Sequence, residues 1–137
     1  MVLVLIDVSA LIFKAHHTLS PERFKRPSDG KENNVVYGVA TMTMKMLKAI
    51  EKKYGETHPI ACMDSATCKE SRQDVDTAYK QQRPRCPRTM DHQFEWVREL
   101  YDSLGIYRKE CEKYEADDII ATYAKKEKGI VVIVSPD

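Results

Sequence analysis

Three aspartates close three apolar runs in this chain. Asp7 follows Val2–Ile6, Asp64 follows Ile60–Met63, and Asp137 follows Ile130–Val134 after Ser135 and Pro136. A further acidic group, Glu115-Ala116-Asp117-Asp118, opens a stretch with helical periodicity. If the three runs are parallel strands, their ends share one carboxyl edge, where open α/β sheets bind ligands. Six carboxylates converging there repel one another unless something cationic sits among them. Hard divalent cations with oxygen ligands, Mg²⁺ or Mn²⁺, meet that need. Two such cations about 3.5–4 Å apart can hold a phosphodiester, generate a hydroxide and stabilise the leaving oxygen. Small phosphate esters fit the same chemistry.

A plainer reading stands beside this one. Acids in a helix's first turn complement the macrodipole, and Lys125, Lys126 and Lys128 at the other end complete that pattern. A single strand-ending aspartate is commonly a turn or cap residue. The combination of three strand-end aspartates with an acidic cluster is what favours a metal site.

The partner must be read from elsewhere in the chain. Residues 69–88 carry Lys69, Arg72, Lys80, Arg83, Arg85 and Arg88 against Glu70, Asp74 and Asp76, with Tyr79 beside Lys80. A basic, proline-broken segment with an aromatic suits a single strand's phosphates and a stacked base. It equally suits a solvated loop. Its position directly after Asp64 tilts the reading towards a ligand at the acidic edge.

These residues need a scaffold, and the periodicity supplies one. Val2–Ile6 is a continuous apolar run, expected as a strand buried on both faces. Ser9–His16 predicts one or two helical turns, and Thr18–Asn34, with Pro21, Pro27 and Asp29-Gly30, predicts a loop. Asn34 is expected to cap a helix from Val35 to about Tyr54, with Val39, Met42, Met46 and Ile50 inward. This methionine stripe is expected as core rather than ligand site. Pro59 leads into a short strand, Ile60–Met63. A second long helix is expected over Asp91–Leu104, burying Phe94, Val97, Tyr101 and Leu104 and stopping at Gly105. A weak strand over Ile106–Arg108 follows. A third helix over Glu115–Lys128, with Ala116, Ile119, Ile120 and Tyr123 inward, ends before Gly129. Ile130–Val134 is the last strand. Alternating strands and helices predict an α/β fold, a mainly parallel sheet with helices on both faces.

Composition sets outer bounds. At 137 residues, 42% hydrophobic and 31% charged, one domain with a core is expected. A net charge of +1 gives no bulk positive field for nucleic acid, though a local basic patch remains compatible with it. No run approaches membrane-spanning length, and Met1–Ile6 lacks the basic region of a signal peptide. Cys62, Cys68, Cys86 and Cys111 have no zinc-like spacing, so reduced cytosolic thiols are expected. No glycine-rich phosphate loop is present, which argues against nucleoside triphosphate hydrolysis.

In order along the chain stand Leu5-Ile6-Asp7, Asn34-Val-Val-Tyr-Gly-Val39, Met63-Asp64, Arg72, Tyr79-Lys80-x-x-Arg83-Pro84, Leu104-Gly105-Ile106, Tyr114-Glu115-Ala116-Asp117-Asp118 and Val134-Ser135-Pro136-Asp137. This set resembles the 5′-nuclease domain at the N-terminus of bacterial DNA polymerase I and its stand-alone 5′-3′ exonuclease and flap endonuclease relatives. The resemblance spans essentially the whole chain. It implies a PIN-like 5′-nuclease fold that hydrolyses DNA at single-stranded 5′ ends or flaps, in replication and repair. By that resemblance Asp7, Asp64, Glu115, Asp117, Asp118 and Asp137 hold two divalent cations, Mg²⁺ or Mn²⁺. Lys80 and Arg83 match catalytic basic residues of a helical arch, expected here over about residues 66–90. Lys14, Arg72 and Tyr79 join them in contacting DNA. Tyr37 and Gly38 match the start of the first long helix, where packing and DNA contact are equally expected. A monomer is implied, in the cytoplasm at a bacterial or organellar nucleoid, with a polymerase domain on the same full-length chain as a further possibility.

The chain also departs from the family pattern. Val8 stands where a glycine is usual, Lys14 where an arginine is, and His16 where an aromatic is, while His17 matches. Pro136 is unusual before its aspartate, and the spacing from Asp64 to Arg72 is one residue longer than is typical. The family's last motif is Asp-x-Asp, of which Asp137 is the first residue. The expectation is therefore an N-terminal part, residues 1–137, truncated before the helix-hairpin-helix element that grips duplex DNA, with weak or absent activity. Two rivals remain: a non-catalytic nucleic-acid-binding fragment of this fold, and a haloacid-dehalogenase-like phosphatase. Asp7-Val8-Ser9 fits the latter's Asp-x-Asp nucleophile motif poorly.

Overall fold

The computed structural model describes residues 1–64, 91–110 and 114–136. The order is β1 (Val2–Asp7), α1 (Val8–Thr18), α2 (Asn34–Tyr54), β2 (Thr57–Cys62), α3 (Asp91–Ser103), β3 (Tyr107–Lys109), α4 (Ala116–Lys126) and β4 (Val131–Val134). The strands form one sheet in the order β3-β2-β1-β4, and every pairing is parallel. β1 is buried along its whole length because it is central and covered on both faces. The α/β architecture with helices on both faces is the one expected from the sequence.

Alternation along β1 divides the core in two. Val2, Val4 and Ile6 pack with α1, α2 and α3 through Leu11, Ile12, Val39, Val97 and Tyr101. Leu3 and Leu5 face the other way, with Ile60 and Cys62 of β2, against Ala116, Ile119 and Ile120 of α4. The period of two makes the face of every later residue on these strands predictable.

Several element details differ from the sequence reading. α1 begins at Val8 and runs to Thr18, longer than two turns, because Asp7 caps it and Leu11, Ile12 and Ala15 anchor it. Asn33 is the N-cap of α2, and Asn34 lies inside it, buried, with its Nδ2 donating to the Leu19 carbonyl at 3.0 Å. Met46 is 41% exposed. The buried face of α2 passes instead through Val35, Val39, Thr43 and Ile50, with Leu47 at its edge. Thr43 is accommodated because its hydroxyl meets the Tyr101 hydroxyl at 2.8 Å, a pairing that hydropathy cannot reveal. Leu104 is 39% exposed, since α3 ends at Ser103 and the chain turns at Gly105 with φ of +72°. β2 starts at Thr57 and takes in Pro59, β3 sits one residue later than expected, α4 starts at Ala116 and ends at Lys126, and β4 omits Ile130. Among the described residues, no helix is long and apolar enough to cross a membrane.

Gly38 fixes how closely α1 and α2 pack. A Cβ added there would lie 2.6 Å from the Ala15 Cβ and 3.0 Å from Leu19 Cδ1. Gly38→Ala gains up to about 1 kcal/mol of helix propensity. Overpacking costs ~1–3 kcal/mol, and here the clash meets a Cβ fixed to the α1 backbone, so destabilisation wins. A urea unfolding curve is expected to show a lower midpoint at unchanged slope. A midpoint at or above the parent's would contradict this packing.

Candidate metal centre

The carboxyl edge of the sheet gathers part of the acidic set. Asp7 is the last residue of β1 and pairs in register with Cys62, the last of β2, while Ile6 pairs with Val134. Asp7 continues the Leu3–Leu5 face, the side covered by α4, and Asp64, two residues past β2, meets the first residue of α4. The Asp7 carboxylate also helps raise the Cys62 pKa, which agrees with that placement.

Hydrogen bonds join these residues across elements. Ala10 N–H donates to Asp7 Oδ1 at 3.1 Å, so Asp7 caps α1. Ala116 N–H, at the start of α4, donates to Asp64 Oδ1 at 2.7 Å. The Asp64 backbone N–H donates to Ser9 Oγ at 3.2 Å. Two helix N-termini thus point at the acidic edge and offset part of its repulsion. Glu115 is 3% exposed and is the N-cap of α4. Its N–H donates to Asp118 Oδ2 at 2.9 Å, one half of a capping box. Glu115 and Asp118 therefore serve the helix start, and Asp64 reaches that start through the Ala116 N–H.

The remaining candidates divide clearly. Asp117 is exposed on the first turn of α4, and Asp118 is half-buried in the capping box. Lys14 is exposed about two turns along α1 from Asp7. Tyr37 is 53% exposed and its ring lies 4.9 Å from that of Phe24, whereas Gly38 is a packing residue. The His17 ring contacts those of Phe13 and His16, each at 5.0 Å between centroids. Asp137, Arg72, Tyr79, Lys80, Arg83 and the segment 66–90 lie outside the described residues, as do Cys68, Cys86 and Cys111.

The donor chemistry fits a hard divalent cation: carboxylates from Asp7 and Asp64 at the carboxyl edge, with Glu115 at the adjoining helix start. Among the described residues alone, no three acids, thiols or imidazoles come together as a complete ion site. Two residues that sequence reasoning passed over also matter. Ser9 contacts Asp64, and its only sequence signal is a hydroxyl two places after a strand-end aspartate. Gln93 reaches the start of α2, for which the sequence holds no signal.

Cys62 is buried in the core beneath α4. Burial, with the Asp7 carboxylate second, pushes its pKa from the ordinary 9.0 up to about 12. A thiol that stays protonated in the fold and ionises when unfolded stabilises the fold fully below pH 9. That contribution falls away as pH rises from about 9 to about 12. At pH 8 iodoacetamide is expected to spare Cys62 in the native chain and label it in urea, as read by mass spectrometry of its peptide. Equal labelling in both states would overturn the buried, protonated assignment.

Comparison with known proteins places the sequence among relatives. Residues 2–137 match the family model described as the 5′-3′ exonuclease, N-terminal resolvase-like domain. The chain is 36% identical over 140 residues to DNA polymerase I of Rhizobium leguminosarum, covering 98% of this chain and 14% of that protein. It is 31% identical over 138 residues to the 5′-3′ exonuclease of Aquifex aeolicus, covering 98% of this chain and 45% of that one. A crystal structure of the T5 D15 protein, co-crystallised with metal ions, aligns with a TM-score of 0.48 at 18% identity, over 100% of this chain and 48% of that chain. The chain thus spans less than half the length of these curated relatives, 14% of the first and 45% of the second. With strand-end acids at the carboxyl edge of a parallel sheet and a family match over residues 2–137, this chain belongs to the 5′-3′ exonuclease family as its N-terminal, resolvase-like domain.

Proposed function

We propose that this domain hydrolyses DNA phosphodiester bonds at single-stranded 5′ ends or 5′ flaps, with two divalent cations, Mg²⁺ or Mn²⁺. The observation that carries the reading is the bond from the Ala116 N–H at the start of α4 to Asp64, with Asp7 ending the neighbouring strand, in a chain of this family. Asp7, Asp64, Glu115, Asp117, Asp118 and Asp137 are the residues proposed to hold the cations. When bound, the cations supply Lewis acidity and a nucleophilic water at neutral pH. The protein's part is orientation: Asp7 is pinned by the Ala10 N–H and Asp64 by the Ala116 N–H, so neither swings freely. Lys80 and Arg83 are proposed to neutralise the scissile phosphate, with Lys14, Arg72 and Tyr79 holding the strand around it. The basic segment 66–90 is proposed as the arch that gathers the single strand. Work on DNA in the cytoplasm, as a monomer and within a longer polymerase or exonuclease, completes the reading.

The test is incubation of the chain with a 5′-flap DNA, with Mg²⁺ or Mn²⁺ and with EDTA, beside an Mn²⁺ binding titration. The expected result is Mn²⁺ binding, with cleavage that is weak and depends wholly on the ion. Absence of both binding and cleavage, or cleavage that persists in EDTA, would overturn the reading.

A further inference from the structure

We infer that Ser9 is a positioning residue for Asp64, acting through the backbone of that acid. The inference rests on the proposed role of Asp64 in holding a cation. β2 ends at Cys62, where its pairing with β1 stops at Asp7. On its other side, the last ladder contact is the Met63 N–H donating to the Lys109 carbonyl at 3.1 Å. Asp64 thus lies two residues past the last paired residue of β2. Ser9 Oγ accepts the Asp64 N–H at 3.2 Å.

Ser9 holds its own place through the acid on the neighbouring strand. It sits in the first turn of α1, and that turn is fixed by Asp7 Oδ1 accepting from Ala10 N–H. Three hydrogen bonds therefore run in series: Ala10 to Asp7, Asp64 to Ser9, and Ala116 to Asp64. They lock β1, the exit of β2 and the start of α4 to one another. Ala116 fixes one carboxylate oxygen of Asp64, and Ser9 fixes the backbone from which the carboxylate hangs. The two bonds act on different parts of the residue, one on its carboxylate and one on its backbone. Hydrogen-bond partners standing behind a metal ligand typically change affinity by ~10–100-fold when lost.

The test is an EPR titration of free Mn²⁺ against the 137-residue parent chain, Ser9→Ala, Ser9→Thr and Asp64→Asn. Each variant is also melted without metal. Ser9→Ala is expected to weaken Mn²⁺ binding by about 10-fold or more, and Ser9→Thr, which keeps the hydroxyl, to restore it. Amide exchange at the Asp64 N–H, read without metal, is expected to speed up in Ser9→Ala alone. If Asp64→Asn loses Mn²⁺ while Ser9→Ala binds as the parent does, the positioning role is overturned and the cation reading stands. If Asp64→Asn binds as the parent does, the cation reading of Asp64 fails and this inference with it. Should Ser9→Ala not fold, Ser9→Cys keeps the side-chain volume with a weak acceptor, and parent-like Mn²⁺ binding there would equally overturn the proposal.

Discussion

Asp64→Asn is expected to lower flap cleavage and Mn²⁺ affinity together, each by roughly 100-fold or more, while leaving the fold in place. The amide removes the charge that a hard cation needs but keeps a carbonyl oxygen. That oxygen can still accept the Ala116 N–H that Asp64 Oδ1 accepts at 2.7 Å, so the start of α4 stays capped. Asp64→Ala removes both functions at once. It is expected to lose the same activity and, in addition, about 1–2 kcal/mol of stability, the usual worth of a helix cap. Comparing the two by urea denaturation separates the charge from the cap. Full activity in Asp64→Asn would remove the acid from the metal set. Equal stability of the two variants would mean that the bond to α4 contributes nothing.

The largest stability effect is expected far from the acids, at Gln93. Its Oε1 accepts the N–H groups of Val35 at 2.9 Å and Val36 at 3.3 Å, and its Nε2 donates to Asn34 Oδ1 at 3.0 Å. The first N–H groups of a helix have no partner within it, and here α3 supplies one from 58 residues away. The side chain is wholly buried, so water cannot replace it. Gln93→Leu keeps the shape and leaves two donors and one acceptor orphaned, at about 1–3 kcal/mol each and with the long bond to Val36 at the low end. A loss of about 3–5 kcal/mol is expected, a large share of a domain's ~5–15 kcal/mol. The melting temperature should fall by on the order of 10 °C. Mn²⁺ binding of the folded fraction should not change, because Gln93 touches neither Asp7 nor Asp64. A loss under about 1 kcal/mol would show that α2 is capped in some other way.

The same contrast marks how much of the molecule could be read in advance. The strands were legible because burial on both faces leaves a nearly unbroken apolar run, as in Val2–Ile6. Their parallel pairing followed from the intervening helical periods. The strand-end position of Asp7 and Asp64 followed from where those runs stop. The inward face of α2 was misjudged at Met46 and Thr43 because hydropathy ranks methionine above threonine. Thr43 is buried all the same, since Tyr101, 58 residues later, supplies its hydrogen bond. Leu104 was misjudged for a related reason: an apolar residue after the last turn points wherever Gly105 sends the chain.

By itself the sequence determined the fold class, the order of the elements, and which acids end strands. It carried the family motifs as well. These are local properties, written in period, run length and spacing. Only the tertiary structure decided that Asp64 meets the first residue of α4, that Ala116 and Ser9 hold Asp64 by its carboxylate and its backbone, and that Asp118 closes a cap while Asp117 faces solvent. Sheet register is the reason. A one-residue slip of β2 against β1 would leave every local signal intact and turn the side chains of β2 to the opposite face. The pairing of Asp7 with Cys62, set by packing across the whole sheet, removes that freedom.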